Sequence, residues 1–286
     1  MHRDVQSMTH RLPGALRRSL SLFAVGAAVM VPAAPALAQG DLLVAPTRVI
    51  LNGGRGTEVI LSNIGSEEAT YRIELELRRM TPEGGLLDVE PDEANELERA
   101  ALAMIRYAPR RITLPPGQPQ AVRLSARPGP DVADGEYRVH MAFRAIPRPV
   151  KLTEEEEQEG GLKLKLVPIY GVTIPIIVRH GQIQSTAALS APRIETGSEG
   201  TAIKVTVNRS GAASTYGDLQ IMRQGSDEVL FTARGLAVYA EVPSREFSLP
   251  VSADEAARLS GPVRVEYRDG AAAGGGLIAA VDAVLR

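Results

Sequence analysis

The chain contains no cysteine. Disulfides, thiol catalysis and cysteine-based metal sites are therefore excluded, and stability has to come from packed cores. Histidine is scarce, with four in 286 residues. His2 and His10 fall in an N-terminal leader, while His140 and His180 stand far apart without a serine or cysteine motif, so no catalytic triad is in view. There is no HExxH, no G-x-S-x-G and no P-loop. The run Gly53, Gly54, Arg55, Gly56 lacks the spacing and the following helix of a phosphate loop. Carboxylates are plentiful, but none forms a pair that spacing places across a cleft. The reading is of a chain that is not an enzyme, with no catalytic residue, no metal site and no cofactor.

The N-terminus reads as an address. Arg3, Arg11, Arg17 and Arg18 precede an apolar run at 20–31, too short to span a bilayer comfortably. Ala36, Leu37 and Ala38 form a small-residue cleavage pattern, with Gln39 as the first mature residue. Residues 1–38 are thus expected to be a secretory signal peptide. An uncleaved anchor is the competing reading, and the small-residue site speaks against it. No later segment is apolar enough to cross a membrane, so no insertion is expected after cleavage. The full chain has a formal charge of −2. Removing a leader with four arginines and one acidic residue, Asp4, makes the rest more acidic still, which argues against nucleic acid as a partner. Roughly 250 mature residues suffice for two domains of ordinary size.

Almost everything after residue 40 reads as short strands between turns: 42–51, 57–61, 70–77, 104–107, 120–125 and 137–146. Residues 81–101 are polar and acidic and read as a long loop with one helical turn. The segment 148–161, which holds Glu154 to Glu157, reads as a solvated acidic loop rather than a calcium site. His180 and Gly181 look like a hinge. Beyond it come strands at 182–189, 202–208, 218–223, 229–233, 245–249, 263–267 and 277–285, with a helical turn at 254–259. Such a pattern predicts an all-β chain of two β-sandwiches.

One stretch stands apart. Between 162 and 179, Leu162, Leu164, Leu166, Pro168, Tyr170, Val172, Ile174, Ile176 and Val178 share one parity. On a strand they would share one face. The run is roughly twice the usual strand length. Two readings stand side by side: an ordinary core strand with a solvated beginning, or a strand that reaches past its own sheet and offers its apolar face to another protein.

The order of several segments resembles the periplasmic pilus-assembly chaperones of Gram-negative bacteria. Pro46 to Ile50 followed by Val59 to Asn63 carries the likeness first. Next come Tyr107 to Arg110 running on to Leu114 to Gly117, Gln120 and Val122 to Leu124. Gly135 to Arg138 leading to Ala145 to Pro147, and the long strand ending at Arg179, complete it. The resemblance implies two immunoglobulin-like domains in a boomerang arrangement, at 39–179 and 180–286, with 162–179 as a donor strand. It implies a chaperone that binds and stabilises secreted pilus-like subunits by donor-strand complementation and delivers them to an outer-membrane usher. It also implies subunit contacts at Arg48, Leu164, Leu166, Pro168, Tyr170 and Arg179. In that family an arginine in the first strand and a lysine late in the long strand grip the subunit's terminal carboxylate. Arg48 matches the arginine, but the lysine position falls at Pro175, leaving Arg179 or Lys165 as the available bases. An interdomain ionic cluster is implied at Arg123, Glu136 and Asp269. Because an exposed apolar edge invites pairing, a second copy is the expected cap of the client-free protein. The rival readings are a secreted two-sandwich adhesion or scaffold protein, and an enzyme whose site is assembled from loops.

Overall fold

The computed structural model describes residues 42–53, 55–147, 168–270 and 273–286. The leader, the acidic loop at 148–161 and the first part of the long strand, with Leu164, Lys165 and Leu166, lie outside the described residues.

The expected strand at 42–51 is two strands. β1 (Leu42–Ala45) pairs antiparallel with β3 (Thr57–Asn63), whereas β2 (Val49–Asn52) pairs parallel with β10 (Gly171–His180) in a different sheet. Pro46 follows β1; it has no N–H to give a ladder, so the first pairing stops there. β1 and β3 continue through β8 (Pro119–Ala126) to β6 (Ile105–Ala108). The facing sheet runs from β2 through β10 and β9 (Gly135–Ile146) to β4 (Ala69–Met80) and β5 (Leu86–Val89), with β7 (Arg111–Leu114) on β4. Alternate residues of the two sheets meet in one core. Val59, Leu61, Val122 and Leu124 come from the first, and Ile73, Val139, Met141, Phe143, Ile174 and Ile176 from the second. Each such side chain contributes about 1.5–3 kcal/mol by leaving water.

The segment 81–101, expected as a loop, carries β5 and the start of a nine-residue helix, α1 (Glu96–Met104). Its start is written in the sequence as Asn95 followed by Glu98. The Asn95 side chain accepts from the Glu98 N–H, and the Glu98 carboxylate accepts from the Asn95 N–H. This reciprocal cap satisfies two donors that would otherwise be orphaned, and Ala101 and Met104 then seat the helix on the core.

The second sandwich follows Gly181. β11 (Ser185–Gly197), β12 (Gly200–Gly211) and β15 (Ser244–Val251) form one sheet. β14 (Val229–Val238), β13 (Thr215–Arg223), β16 (Gly261–Arg268) and β17 (Leu277–Leu285) form the other. A short capped helix, α2 (Ala253–Leu259), links β15 to β16. Val205, Val207 and Phe247 pack against Leu219, Ile221, Val265 and Tyr267. Met80 and Ile177 leave the outer face of the first sandwich and join this second core. Between β10 and β11, Gly181 has φ of +74°, and a Cβ there would fall 1.9 Å from the Asp134 carboxylate carbon, so only glycine fits.

Candidate functional site

The site begins at an unfinished sheet edge. The Tyr170 carbonyl accepts from the Ala145 N–H at 2.9 Å, and the antiparallel register with β9 continues from Gly171 opposite Arg144 to His180 opposite Gly135. Backbone groups of successive residues point to opposite edges of a strand. Even-numbered residues therefore turn towards β9, and Gly171, Thr173 and Pro175 turn away. On that outer side β2 begins only where Val49 meets Ile176. Among the described residues nothing pairs with the edge at 171–175. Pro175 is tolerated there because the N–H it lacks would not have served the β9 ladder.

The side chains of β10 change surroundings along its length. Ile174, Ile176 and Val178 are buried in the first core and Ile177 in the second. Val172 is half-buried, and beyond it the same parity emerges into solvent at Tyr170, which is 45% exposed. Its neighbour Ile169 is 62% exposed, and Pro168 is exposed as well.

Arg48 lies at the bend between β1 and β2. One step back from the Val49–Ile176 pair, it stands beside Pro175. Its guanidinium carbon is 4.4 Å from the centre of the Tyr216 ring and 5.7 Å from that of Tyr239. Cation–π attraction thus holds the group against both rings. Nη2 donates to Ser214 Oγ at 3.3 Å, and buried Nε has no hydrogen-bond partner. Burial pushes the Arg48 pKa down, and its guanidinium remains cationic. A guanidinium held by its faces keeps its in-plane donors for a planar acceptor such as a carboxylate.

Around it the two sandwiches are joined by charged groups. Glu136, whose side chain is 2% exposed, accepts from Arg179 Nε at 3.1 Å and from the Ser214 N–H at 3.0 Å. Arg179 Nη2 reaches the Ser214 carbonyl at 3.2 Å. Arg138 pairs with Glu241 and lies 3.6 Å from the Tyr239 ring centre. Glu241 also accepts from the Met80 N–H at 2.9 Å.

The implied site residues separate accordingly. Arg48 and Pro175 stand side by side, and Pro168 and Tyr170 are exposed on the approach to β10; Leu164 and Leu166 lie outside the described residues. Arg179, implied as a subunit contact, is engaged in the joint. Glu136 is in the joint as implied, but Arg123 is not. It pairs with Glu58 at 2.9 Å on the outer face of the opposite sheet, its side chain 82% exposed, because its parity on β8 points away from the core. Asp269 lies in the β16–β17 turn, where its N–H donates to the Gly276 carbonyl, and it forms no ion pair among the described residues. Ser214, Tyr239 and Glu241 take the places assigned to Arg123 and Asp269. Nothing in the local sequence marks them: Ser214 lies 78 residues from Glu136 and 166 from Arg48, and Glu241 lies 103 residues from Arg138 and 161 from Met80.

His140 sits on the same face of β9, between Glu76 of β4 and Pro175 of β10. It is 3% exposed with Nδ1 unpartnered, and burial, aided by the charges of Arg138 and Arg78, pushes its pKa down to about 3. It is a neutral packed side chain. No cluster of metal-ligating side chains and no helix long and apolar enough to cross a membrane occurs among the described residues.

No protein-family model and no curated protein matches the chain. Solved structures similar to it include the CsuC–CsuE chaperone–tip adhesion subunit pre-assembly complex of Acinetobacter baumannii, at 11% identity and a TM-score of 0.44 over 86% of this chain and 98% of that one. The CupB2 chaperone of Pseudomonas aeruginosa is similar at 14% identity and a TM-score of 0.43, over 85% of this chain and 100% of the other. The SafB chaperone with the SafA pilin of Salmonella enterica is similar at 17% identity and a TM-score of 0.42, over 86% and 97%.

Proposed function

We propose that this protein is a periplasmic chaperone that holds secreted pilus-like subunits by lending them a strand, and that it delivers them to an outer-membrane usher. One observation carries the reading. β10 leads an apolar row into solvent along an unpaired edge that ends beside a guanidinium with an unfilled donor.

The chemistry of that edge limits what it accepts. Gly171 and Thr173 offer N–H and C=O groups to an incoming strand, Pro175 offers only its carbonyl, and from Ile176 onwards β2 occupies the place. A subunit strand docked here runs in line with β2 and stops at Pro175. If it runs in the direction of β2, its last residue presents a terminal carboxylate to Arg48. A hydrogen bond to a charged group contributes about 1.5–3 kcal/mol. Each large apolar side chain buried from Ile169 and Tyr170 backwards contributes about as much. The strand therefore supplies most of the affinity and Arg48 the register. Release follows when the next subunit's strand takes the place of the lent one.

The test is capture in the periplasm. The protein is co-expressed in the periplasm with small secreted pilus-like subunits, and what co-purifies is measured per folded chaperone. Ile169→Glu with Tyr170→Glu is expected to abolish capture without changing the unfolding midpoint. Arg48→Ala is expected to reduce it by about tenfold, the equivalent of 1.4 kcal/mol. Wild-type yields from the Ile169/Tyr170 double variant would overturn the strand-lending reading.

A further inference from the structure

The second-sandwich side of the joint is made by two loops, and a single side chain ties them together. Arg209 lies near the end of β12. Its Nη1 donates to the carbonyls of Gly211 at 2.5 Å and Ala213 at 3.0 Å. Nη2 donates to the Ala240 carbonyl at 2.8 Å, and Nε to that of Val242 at 3.2 Å. The first two carbonyls belong to the loop that leads into Ser214, Thr215 and Tyr216. The other two flank Glu241, directly after Tyr239. Every group that Arg48 touches on this side, namely Ser214 Oγ and the rings of Tyr216 and Tyr239, thus hangs from a backbone segment that Arg209 fixes.

We propose that Arg209 is the positioning residue of the Arg48 seat: its planar fork sets the spacing of the two loops and thereby aims the Arg48 donors. The geometry needs arginine. Four donors in one plane span two loops at once, whereas an ammonium is a point with three donors and cannot hold both. Among the described residues the Arg209 side chain bonds only these four carbonyls, so it acts through Ser214, Tyr216 and Tyr239. The effect on capture rests on the proposed role of Arg48; the structural coupling does not.

A double-variant cycle tests this with two readouts. The chain has seven tyrosines and no tryptophan, so its near-ultraviolet circular dichroism reports tyrosine surroundings. Arg48→Ala defines the part of that signal due to stacking on Tyr216 and Tyr239. Arg209→Lys is expected to reproduce most of that change and to reduce capture by about tenfold, as Arg48→Ala does. Arg209→Lys added to Arg48→Ala is expected to change neither readout further, because the two residues act through one seat. A merely structural role would instead lower both readouts by the same factor in either background, and that result would overturn the proposal. So would a wild-type tyrosine signal in Arg209→Lys. If Arg48→Ala leaves capture intact, the proposed role of Arg48 in capture fails and the tyrosine signal alone decides on Arg209. Should Arg209→Lys not fold, Arg209→Gln, which keeps donors on a shorter planar head, is read in the same cycle.

Discussion

Acid should unfold this protein earlier than its carboxylates alone require, and His140 is the reason. The side chain is buried between Glu76 and Pro175, with Nδ1 unpartnered and the cations Arg138 and Arg78 near it. Burial first, and then those two charges, pushes its pKa down from 6.5 to about 3. The sign follows from linkage. In the unfolded chain the imidazole takes up its proton as pH falls through 6.5, and in the folded chain it does so only near 3, so between those values acid favours the unfolded state. The stabilisation is full above the unfolded value and is lost as pH falls below it. At about pH 5 the unfolded histidine is protonated by a factor of roughly thirty, which removes about 2 kcal/mol, a substantial part of the stability of an ordinary domain. Urea unfolding of the mature protein at about pH 7.5 and about pH 5 measures this, with His140→Gln as the comparison. The variant loses packing at both pH values, but its stability should fall by about 2 kcal/mol less between them. Glu98 and Glu266, whose pKa values are held down by their arginine partners and hydrogen bonds, contribute equally to both proteins and cancel. An identical loss of stability in wild type and variant would refute the assignment of His140 as neutral and desolvated.

Two further substitutions probe the framework. Gly217→Ala places a Cβ 2.3 Å from the Arg268 carbonyl oxygen and 3.0 Å from the Tyr267 ring, so the β13–β16 pairing has to shift. A loss of about 1–3 kcal/mol is expected in chemical denaturation, and an unchanged midpoint would show that the sheet yields freely. Arg138→Met removes the partner of Glu241 and the stack on Tyr239. Because Glu241 keeps the Met80 N–H and is partly solvated, the expected loss is about 1–3 kcal/mol; no change in the calorimetric midpoint would mean the pair contributes nothing net.

Much of the architecture was legible because alternation is a local signal. The strands around Tyr137, Val139, Met141 and Phe143 announce themselves by parity, and so does the second sandwich. The errors come where local signals conflict. The run at 42–51 is apolar except at Thr47 and Arg48, but Pro46 cannot carry a ladder across it, and its halves join opposite sheets. The helix at Glu96–Met104 hid in a polar segment because only Ala101 and Met104 are buried; the Asn95 and Glu98 cap was the available clue. Resemblance singled out Arg48, which the structure places against Tyr216 and Ser214, and Glu136, which it places in the joint; Pro175 departs from the family's pattern. Arg123 was misplaced because its strand was right but its face was not considered. Ser214, Tyr239 and Glu241 act through the fold alone, brought to the joint by loops that Arg209 ties.

Pro175 has one more consequence. With an N–H missing at that position and β2 already seated just beyond it, the edge of β10 that is unpaired among the described residues has a hard stop at one end. A strand bound as proposed cannot creep forward by two residues and keep its bonding, as it could along an ordinary exposed edge. Under the proposed function this stop acts as a ruler: a subunit strand running in the direction of β2 is measured from its tail end, and surplus length hangs off the far side.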